Sequence, residues 1–526
     1  MRSRSVNQIS VARQILLLIL FGVALGVSNR FFVFIDDETS IIAAAADPVR
    51  NTLALFWSGV GQHEHPPLYD LLLHFWIRLT GGAMDWLRAP SICFYIAGLW
   101  LLSRAALRLA GETAAAILIW MGVLWPFGFH YARLAAWYSF SFFLVSAFTL
   151  AFLHLIEKQS PVRWGVLLLA AAALVWTNYL GWAFVVCLFV LDRWLRRRNA
   201  EPVIAVGPLV RAAAILIVVF IPLFTAFRHE LSSGMHLPRH ALTLAATAAF
   251  NAYSLFVSEA VAPWFWRPAL LACAAILASL VFGYRCAPRS ARRFFLYFAV
   301  ISLGMALTGI LQTKRLLLIS PWLLLPLSAA LAGTDHKTKW MRRALSASLL
   351  LIAAIGWFGI TSRRYYAAPR FIEPWPQAVE IAAQDIRSSA IVIGNNPSFF
   401  FYLTYALQLP RTSGPWRFVG TLPIDVRDPQ VMFSADWLAA GHPMAQKMVW
   451  VRGMDWGESE APMLDAANLL DRSCGARVTQ RLLRDSGFEW KQRFFPQLHE
   501  LLWRIEIREY NCAGAGSQEI LHFPMR

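Results

Sequence analysis

Long apolar runs, one after another, are the feature that most constrains this chain. About eleven of them occur in the first 361 residues, most roughly 17–20 residues long, which is enough for a helix to cross a bilayer core of about 30 Å. With 58% hydrophobic and 15% charged residues and a mean hydropathy of +0.50, the 526-residue chain is far more apolar than a soluble domain. The sequence therefore predicts a polytopic membrane protein, with spans near 14–34, 88–108, 113–131, 137–156, 164–180, 181–194, 208–227, 266–283, 294–312, 316–333 and 343–361.

The basic residues predict how these spans are oriented. A net charge of +17 could indicate a nucleic-acid partner, but most Lys and Arg of the membrane region lie in short loops between apolar runs. The first run lacks a small-residue cleavage site and is predicted as an uncleaved span. With the N-terminus in the cytoplasm, the inside loops hold about twice as many basic residues as the longer outside segments, as the positive-inside rule requires. The outside ones are Arg30, Arg50, Arg78, Arg88, Arg133, Arg228, Arg239, Arg267, Lys314 and Arg315.

An odd number of spans places the tail, residues 362–526, outside the cytoplasm. Its apolar runs are too short to span, with a predicted helix over 376–387 and a buried strand over 390–394, so we expect a small α/β domain. A disulfide between Cys474 and Cys512 is permitted there, although the sequence does not fix their distance. Tail tryptophans could stack on sugars but are more often core residues; they are Trp375, Trp416, Trp437 and Trp450.

The loop 35–87, which follows the first span, holds the most conspicuous polar residues outside the spans. It begins with Asp36-Asp37-Glu38, and a loop of roughly fifty residues is long enough to suggest a functional segment with helices of its own. A predicted helix after Pro67 carries an apolar stripe, with His74 and Arg78 outside it, which is typical of an amphipathic helix on the outer leaflet. The stripe is Leu68, Leu71, Leu72, Phe75 and Leu79.

Several other classes of function lack support in the sequence. There is no nucleotide-binding glycine loop, CxxC pair, HExxH helix or evident internal repeat. No predicted span has Asp or Glu in its middle, which weakens a lipid-linked-sugar flippase or transporter without eliminating it. A membrane-anchored binding module would leave so many spans and the acidic loop unexplained.

Five short stretches occur in an order that resembles the GT-C glycosyltransferases, and most of all glycosyltransferase family 39 with its bacterial relatives, the protein O-mannosyltransferases and lipid A aminoarabinose transferases. The resemblance covers roughly residues 1–335. The stretches are Ile35-Asp36-Asp37-Glu38, His65-Pro66-Pro67-Leu68-Tyr69, Arg88-Ala89-Pro90-Ser91, Tyr131 to Tyr138, and Lys314-Arg315-Leu316.

The resemblance implies transfer of a sugar from a polyprenyl phosphate to a hydroxyl acceptor (lipid, glycan or protein) outside the cytoplasm. It aligns Asp37 with the catalytic base and Glu38 with its partner, with Asp36 as a register-shifted alternative. A carboxylate can accept the acceptor's proton at neutral pH. Independently of any family, an interfacial Arg or Lys suits a lipid phosphate leaving group.

The phosphate role maps by resemblance onto Arg88 and Arg315, with Lys314 beside the latter. A snorkelling interface anchor is the alternative for these cations. His65 stands in the donor-side motif, with a capping or packing role as its alternative. Glu64 matches a metal-binding acid of some relatives, and with His63 adjacent a divalent metal ion is conceivable; no other cofactor is predicted.

Two departures from the family pattern concern the sugar and acceptor. Leu134 stands where the family often has an acid, and Ala136 where it has Arg; Arg133 could substitute for the latter if both lay on one helix face. Asn178 replaces a frequent His, which keeps hydrogen bonding but loses titration. A degenerate, inactive homologue is therefore an alternative.

Taken together, the sequence predicts an all-α GT-C-type membrane domain over 1–361 with amphipathic periplasmic helices, followed by an extracytoplasmic α/β domain over 362–526. We expect a multi-pass inner-membrane protein with its active site on the periplasmic face. Its expected partners are a polyprenyl-phosphate sugar, a hydroxyl acceptor and the lipid bilayer, with no nucleic acid.

Overall fold

The computed structural model describes residues 2–32, 34–58, 65–233, 241–308, 310–363, 365–367, 375–387, 390–406, 417–419, 422–424, 431–441, 444–453, 460–474, 477–484 and 504–512. Its contacts divide the chain into two compact units. The membrane unit comprises Met1–Asn29 and Val49–Tyr365, and the tail unit comprises Arg30–Pro48 and Tyr366–Arg526. The segment that begins the predicted outer loop thus groups with the tail rather than with the spans.

The membrane unit is helical. Its helices are α1 (Arg2–Ser28), α3 (Val49–Ser58), α4 (Leu68–Thr80), α5 (Ala89–Leu124), α6 (Pro126–Tyr131), α7 (Trp137–Glu157), α8 (Pro161–Val175), α9 (Gly181–Val186), α10 (Asp192–Arg198), α11 (Val206–Phe220), α12 (Phe224–Ser233), α13 (Ala241–Val257), α14 (Trp266–Cys286), α15 (Arg289–Leu307), α16 (Leu316–Ile319), α17 (Pro321–Ala332) and α18 (Lys339–Ser362). A π-helical segment, Cys187–Leu191, joins α9 to α10.

Seven of the described helical stretches are long and apolar enough to cross a membrane, or eight if the bent pair Thr313–Ile319 and Pro321–Ala332 is one span. Apolar side chains on their outer faces are exposed, as lipid contact requires; Val218 is 63% and Leu270 64% exposed. The expected polytopic membrane fold is confirmed. The prediction included no span over α13, which is a shorter apolar helix.

The longest stretch, α5, contains two passes rather than one. Gly111 lies inside it with φ 84°, a conformation that interrupts a helix and suits glycine. The Tyr95 hydroxyl donates to the carbonyl of Gly122 at 3.0 Å, although these residues would be about 40 Å apart along a straight helix. The chain therefore folds back at Gly111, which matches the separate spans predicted near 88–108 and 113–131.

The tail unit contains α2 (Asp36–Ala46) and an α/β core. The other helices are α19 (Trp375–Arg387), α20 (Pro397–Ala406), α21 (Ser434–Ala439) and α22 (Glu460–Ser473). The strands are β1 (Ile391–Gly394), β2 (Arg417–Val419), β3 (Leu422–Ile424), β4 (Val431–Phe433), β5 (Lys447–Gly453), β6 (Arg477–Arg484) and β7 (Arg504–Asn511). A five-stranded sheet has the order β4-β1-β5-β7-β6, in which β4, β1 and β5 are parallel and β7 is antiparallel to both neighbours. Strands β2 and β3 form an antiparallel pair.

Apolar clusters cover both faces of this sheet. Trp375 and residues of α19 and α20 pack with Val449 of β5 on one face, and Trp437 and residues of α22 pack with Trp450 on the other. These three tryptophans are fully buried, so they are core residues, as expected; Trp416 lies outside the described residues. A disulfide joins Cys474 and Cys512 beside the second cluster.

Candidate active site

Helix α4 presents two different faces. Tyr69, Asp70 and His74 are buried on one side, whereas Phe75 is 66% and Leu79 78% exposed on the other. The exposed side carries the apolar stripe predicted from the sequence, of which Leu68, Leu71 and Leu72 are half-buried. The helix packs through the side that holds Asp70 and His74. This arrangement suits a helix at a lipid surface.

The structure brings the stretch that begins α4 next to the start of α5. The hydroxyl groups of Tyr69 and Ser91 share a hydrogen bond of 2.8 Å, and Ser91 also donates to the carbonyl of Ala136 at 3.5 Å. Pro90 in the first turn of α5 suits a helix start, since it has no N–H to leave unsatisfied. Three of the five stretches that carry the family resemblance therefore meet here.

Two further contacts extend this arrangement. The N–H of Leu68 donates to the carbonyl of Trp176 at 3.2 Å, and the ring of His65 meets the ring of Trp137 edge-on at 4.5 Å between centroids. We call residues 65–69, 88–91, 131–138 and 176–178 the motif cluster. His65 makes the packing contact that was one of its two predicted roles.

Arg88 and Arg133 are both buried within the motif cluster, with 1% and 0% exposure. Arg88 precedes the first residue of α5 as its N-cap. Its burial argues against the snorkelling role, in which the guanidinium reaches water. Arg133 donates to the hydroxyl of Ser28 at 2.8 Å and lies over the ring of Phe129 at 4.4 Å.

The expectation that Arg133 and Ala136 share a helix face is wrong. Residues 132–136 form turns and bends between α6 and α7, and Ala136 has an extended conformation at φ −144° and ψ 165°. The hydroxyl of Ser139 donates to the carbonyl of Ala132 at 2.8 Å, which holds this non-helical segment against the first turn of α7. Leu134 is fully buried.

Asn178 has a local structural role. Its side-chain oxygen accepts the N–H of Leu180 at 2.8 Å, closing an Asx turn between α8 and α9. The side chain is 3% exposed. An Asn forms this turn readily, which gives a physical reason for its presence where relatives often have His.

Lys314 and Arg315 lie in a 3-10 turn that leads into α16. Arg315 is 9% exposed and donates to the carbonyl of Ile310 at 3.3 Å, whereas Lys314 is half-buried. Helix α16 packs against α7, the helix that Trp137 begins. The helix that follows the late basic pair thus packs against a helix whose first two residues, Trp137 and Tyr138, belong to the motif cluster.

The predicted acids lie at the start of α2, in the tail unit. Asp36 and Asp37 occupy its first two positions, and negative charge in a first helical turn is favoured by the helix dipole. Glu38 is fully buried, and its carboxylate accepts the N–H of Ile35 at 3.1 Å. This bond is the reciprocal half of a capping box. Phe34, just before α2, packs against Phe401 at 5.2 Å between ring centroids.

Three buried polar residues were not predicted from the sequence. Asp70 directly follows the His65–Tyr69 motif, and burial raises the pKa of its carboxyl to about 7. His130 forms a hydrogen bond to the hydroxyl of Ser258, which has a left-handed backbone at φ 64°. Glu259 beside it is 3% exposed. A lone acid two residues after the apolar run of α13 was the signal that could have identified Glu259 as a buried polar residue.

An apolar cavity of about 260 Å³ lies among α5, α17 and α18. Its walls include Trp120, Pro126, Leu324 and Leu350. One of the wall residues, Pro126, is the first residue of α6, and α6 ends at Tyr131 in the motif cluster. The cavity therefore adjoins the segment that leads to the candidate site.

The residues that the sequence offers as ligands if a metal is present, His63 and Glu64, lie outside the described residues. Within the described ranges, no group of three or more His, Cys, Asp or Glu side chains could hold a metal ion.

Comparison with known proteins gives similarity at the level of structure. No protein-family model matches the chain, and no curated protein sequence matches it. The structure is similar to ArnT from Cupriavidus metallidurans bound to undecaprenyl phosphate, with a TM-score of 0.53 and 14% identity over 96% of this chain and 99% of that one. For the apo state of ArnT, the TM-score is 0.54 with 13% identity over 98% and 100%.

A third similar structure is the Archaeoglobus fulgidus oligosaccharyltransferase in complex with zinc and sulfate. It has a TM-score of 0.41 and 12% identity over 78% of this chain and 58% of that one. The ArnT alignments extend over nearly all of both chains and include the tail. The chain therefore shares the fold of ArnT, and this agrees with the GT-C-type membrane fold expected from its sequence motifs.

Proposed function

We propose that this protein is an inverting glycosyltransferase that moves a sugar from a polyprenyl phosphate to a hydroxyl acceptor on the periplasmic face of the inner membrane. The observation that carries the proposal is the motif cluster: four stretches that are distant in sequence are joined by hydrogen bonds and ring contacts. The fold supports it, because one similar structure, ArnT, is bound to undecaprenyl phosphate.

In the proposed single displacement, the acceptor oxygen bonds to the anomeric carbon as the bond from that carbon to the phosphate oxygen breaks. The hydroxyl proton passes to the carboxylate of Asp37, with Glu38 shaping the start of its helix. The polyprenyl phosphate leaves as an anion, and Arg88 and Arg315 stabilise the charge that develops on it.

The polyprenyl chain needs an apolar path, and two surfaces of the membrane unit supply one. The exposed stripe of α4 would contact the lipid near the donor's phosphate. The apolar cavity beside Pro126 would accommodate isoprene units. Both surfaces adjoin the motif cluster along the chain.

The test is transfer of radiolabel from a panel of polyprenyl-phosphate sugars in membranes that contain the wild type or a variant. We expect Asp37→Asn to lower transfer about a hundredfold or more, the range for loss of a general base. Arg88→Gln should lower it by about 10²–10³-fold, as loss of a charge-stabilising donor does. Arg50→Gln, which removes an exposed cation of α3, is the matched control and should retain transfer.

The outcomes separate the alternatives. Loss of transfer in Asp36→Asn but not in Asp37→Asn would move the base by one residue. Equal losses in Arg88→Gln and Arg50→Gln would contradict a specific phosphate role for Arg88. If folded wild type transfers label from no donor, the proposal is wrong, and movement of the labelled donor across reconstituted vesicles would then test the flippase alternative.

A further inference from the structure

A groove between α10 and α11 lies well away from the motif cluster. It has a volume of about 370 Å³, and its walls carry Arg193 and Arg197 from α10 together with apolar side chains of both helices. From Asn178 to Arg193 the chain rises about 20 Å in helical geometry. The proposed transfer reaction makes no use of this groove.

Among the described residues, the two arginines lack acidic partners. One guanidinium nitrogen of Arg193, Nη1, is buried without a hydrogen-bond partner among the described residues. Neither Arg193 nor Arg197 forms an ion pair with any described residue. A buried N–H without an acceptor is costly, so the groove favours an anionic oxygen as ligand.

Nearby acids are already engaged by other arginines. Asp192 accepts hydrogen bonds from Arg196 at 2.6 Å, from Arg293 at 3.2 Å and from the hydroxyl of Tyr297 at 2.6 Å. Glu201 pairs with Arg293 at 2.9 Å and with Arg196 at 3.3 Å. We call these five residues the ion-pair network. The network engages both carboxylates, so Arg193 and Arg197 remain available to bind an anion from outside the protein.

The apolar walls indicate that this anion carries a hydrophobic chain. Val190 is 62%, Val206 52% and Val210 59% exposed, and all three line the groove. Trp194, 53% exposed, stands between the two arginines in sequence and has the character of an interfacial aromatic. The π-helical segment before α10 adds a residue to the turn, a feature frequent at functional sites.

We propose that this groove binds an anionic phospholipid. Its phosphate would lie against Arg193 and Arg197, and its acyl chains would lie along Val190, Val206 and Val210. Basic pockets between membrane helices on the cytoplasmic side are a known kind of lipid headgroup site. This end of the bundle is the one that the positive-inside rule predicts to be cytoplasmic. The proposal does not depend on the proposed transferase activity.

The experiment is native mass spectrometry of the full chain released from nanodiscs of equimolar phosphatidylglycerol and phosphatidylcholine with identical acyl chains. We expect wild type to retain phosphatidylglycerol in preference. The double variant R193Q/R197Q should lower the retained phosphatidylglycerol about tenfold, as loss of charge-assisted hydrogen bonds predicts. The matched control K339Q/R343Q removes two exposed cations of α18 with the same spacing and should leave retention unchanged.

A second variant keeps both charges and fills the apolar wall. Val210→Trp, at an exposed position, should also lower phosphatidylglycerol retention while leaving the elution volume in size exclusion unchanged. No preference for phosphatidylglycerol in wild type, or equal losses in both double variants, would overturn the proposal. So would displacement of the lipid by inorganic phosphate alone, since the groove would then recognise the oxyanion and not the lipid.

Discussion

The motif cluster and the ion-pair network both bury polar side chains in the membrane unit, but the partners differ. In the network, two arginines and one tyrosine donate to the carboxylates of Asp192 and Glu201. They are Arg196, Arg293 and Tyr297. In the motif cluster, Arg88 and Arg133 are buried too, but the hydrogen bonds that link its stretches join neutral groups, as Tyr69 joins Ser91. The network neutralises charge, whereas the cluster fixes the positions of chain segments. Burial of polar groups therefore does not by itself mark a candidate site; the kind of partner distinguishes the two regions.

The largest expected effect comes from breaking the network. Asp192→Asn keeps the shape of the side chain but removes the charge that Arg196 and Arg293 share, and Asp192 is 2% exposed. Removing one partner of a buried ion pair costs about 3–5 kcal/mol. We expect a marked fall in the apparent unfolding temperature in detergent, while transfer per folded molecule is retained.

The matched control is Glu157→Gln, which breaks the ion pair with Arg108. Those side chains are 47% and 33% exposed, and exposed pairs contribute about 1 kcal/mol or less. If Asp192→Asn destabilised the protein no more than Glu157→Gln, the network would not be a structural element. If it abolished transfer in folded protein, the comparison between the two regions would fail.

The next effect concerns the protonation of Asp70, which directly follows residues 65–69 of the motif cluster. Burial raises the pKa of this carboxyl from 3.8 to about 7, so the folded chain holds the proton over a range where the unfolded chain has lost it. The free energy of unfolding therefore falls by up to about 4 kcal/mol as the pH rises from about 4 to about 7. Above pH 7 this contribution no longer changes. Asp70→Asn removes this loss, and its unfolding temperature should exceed that of wild type at pH 8 but not at pH 4.

Asp85→Asn provides the comparison for that measurement. Asp85 is exposed in the 3-10 turn before α5, close in sequence to Asp70 but outside the buried face of α4. Because this side chain is exposed, its substitution should change stability by about 0.5 kcal/mol or less at both pH 4 and pH 8. Parallel curves for Asp70→Asn and wild type from pH 4 to pH 8 would show that burial does not favour the protonated form.

The features that the sequence predicted correctly follow from local physics. A helix that crosses lipid must satisfy its own backbone and present apolar side chains, so hydropathy predicts spans such as the two passes of α5. The stripe of α4 follows from helical periodicity, and the strand β1 follows from a short continuous apolar run. The burial of Trp375, Trp437 and Trp450 follows from the size of their apolar surface.

The features that it missed depend on residues distant in the chain. Arg293 meets Asp192 across 101 residues, and no local pattern signals this contact. Residues 132–136 are Ala-rich and suit a helix, yet buried contacts of the motif cluster hold them in a turn. The N–H of Phe34 donates to the hydroxyl of Tyr402, 368 residues away, and such contacts group the acidic helix α2 with the tail.

The smallest expected effect tests the hydrogen bond between Tyr69 and Ser91. Tyr69→Phe removes only the hydroxyl from a side chain that is 1% exposed, so stability should fall by about 1 kcal/mol. A double-mutant cycle with Ser91→Ala isolates the pair, and the double variant should cost less than the sum of the single variants. Because this bond ties α4 to the start of α5, transfer should also fall, although less than in Arg88→Gln. Additive losses of stability would mean that the two hydroxyls do not interact, and the cluster would then be held by its other contacts, such as that between His65 and Trp137.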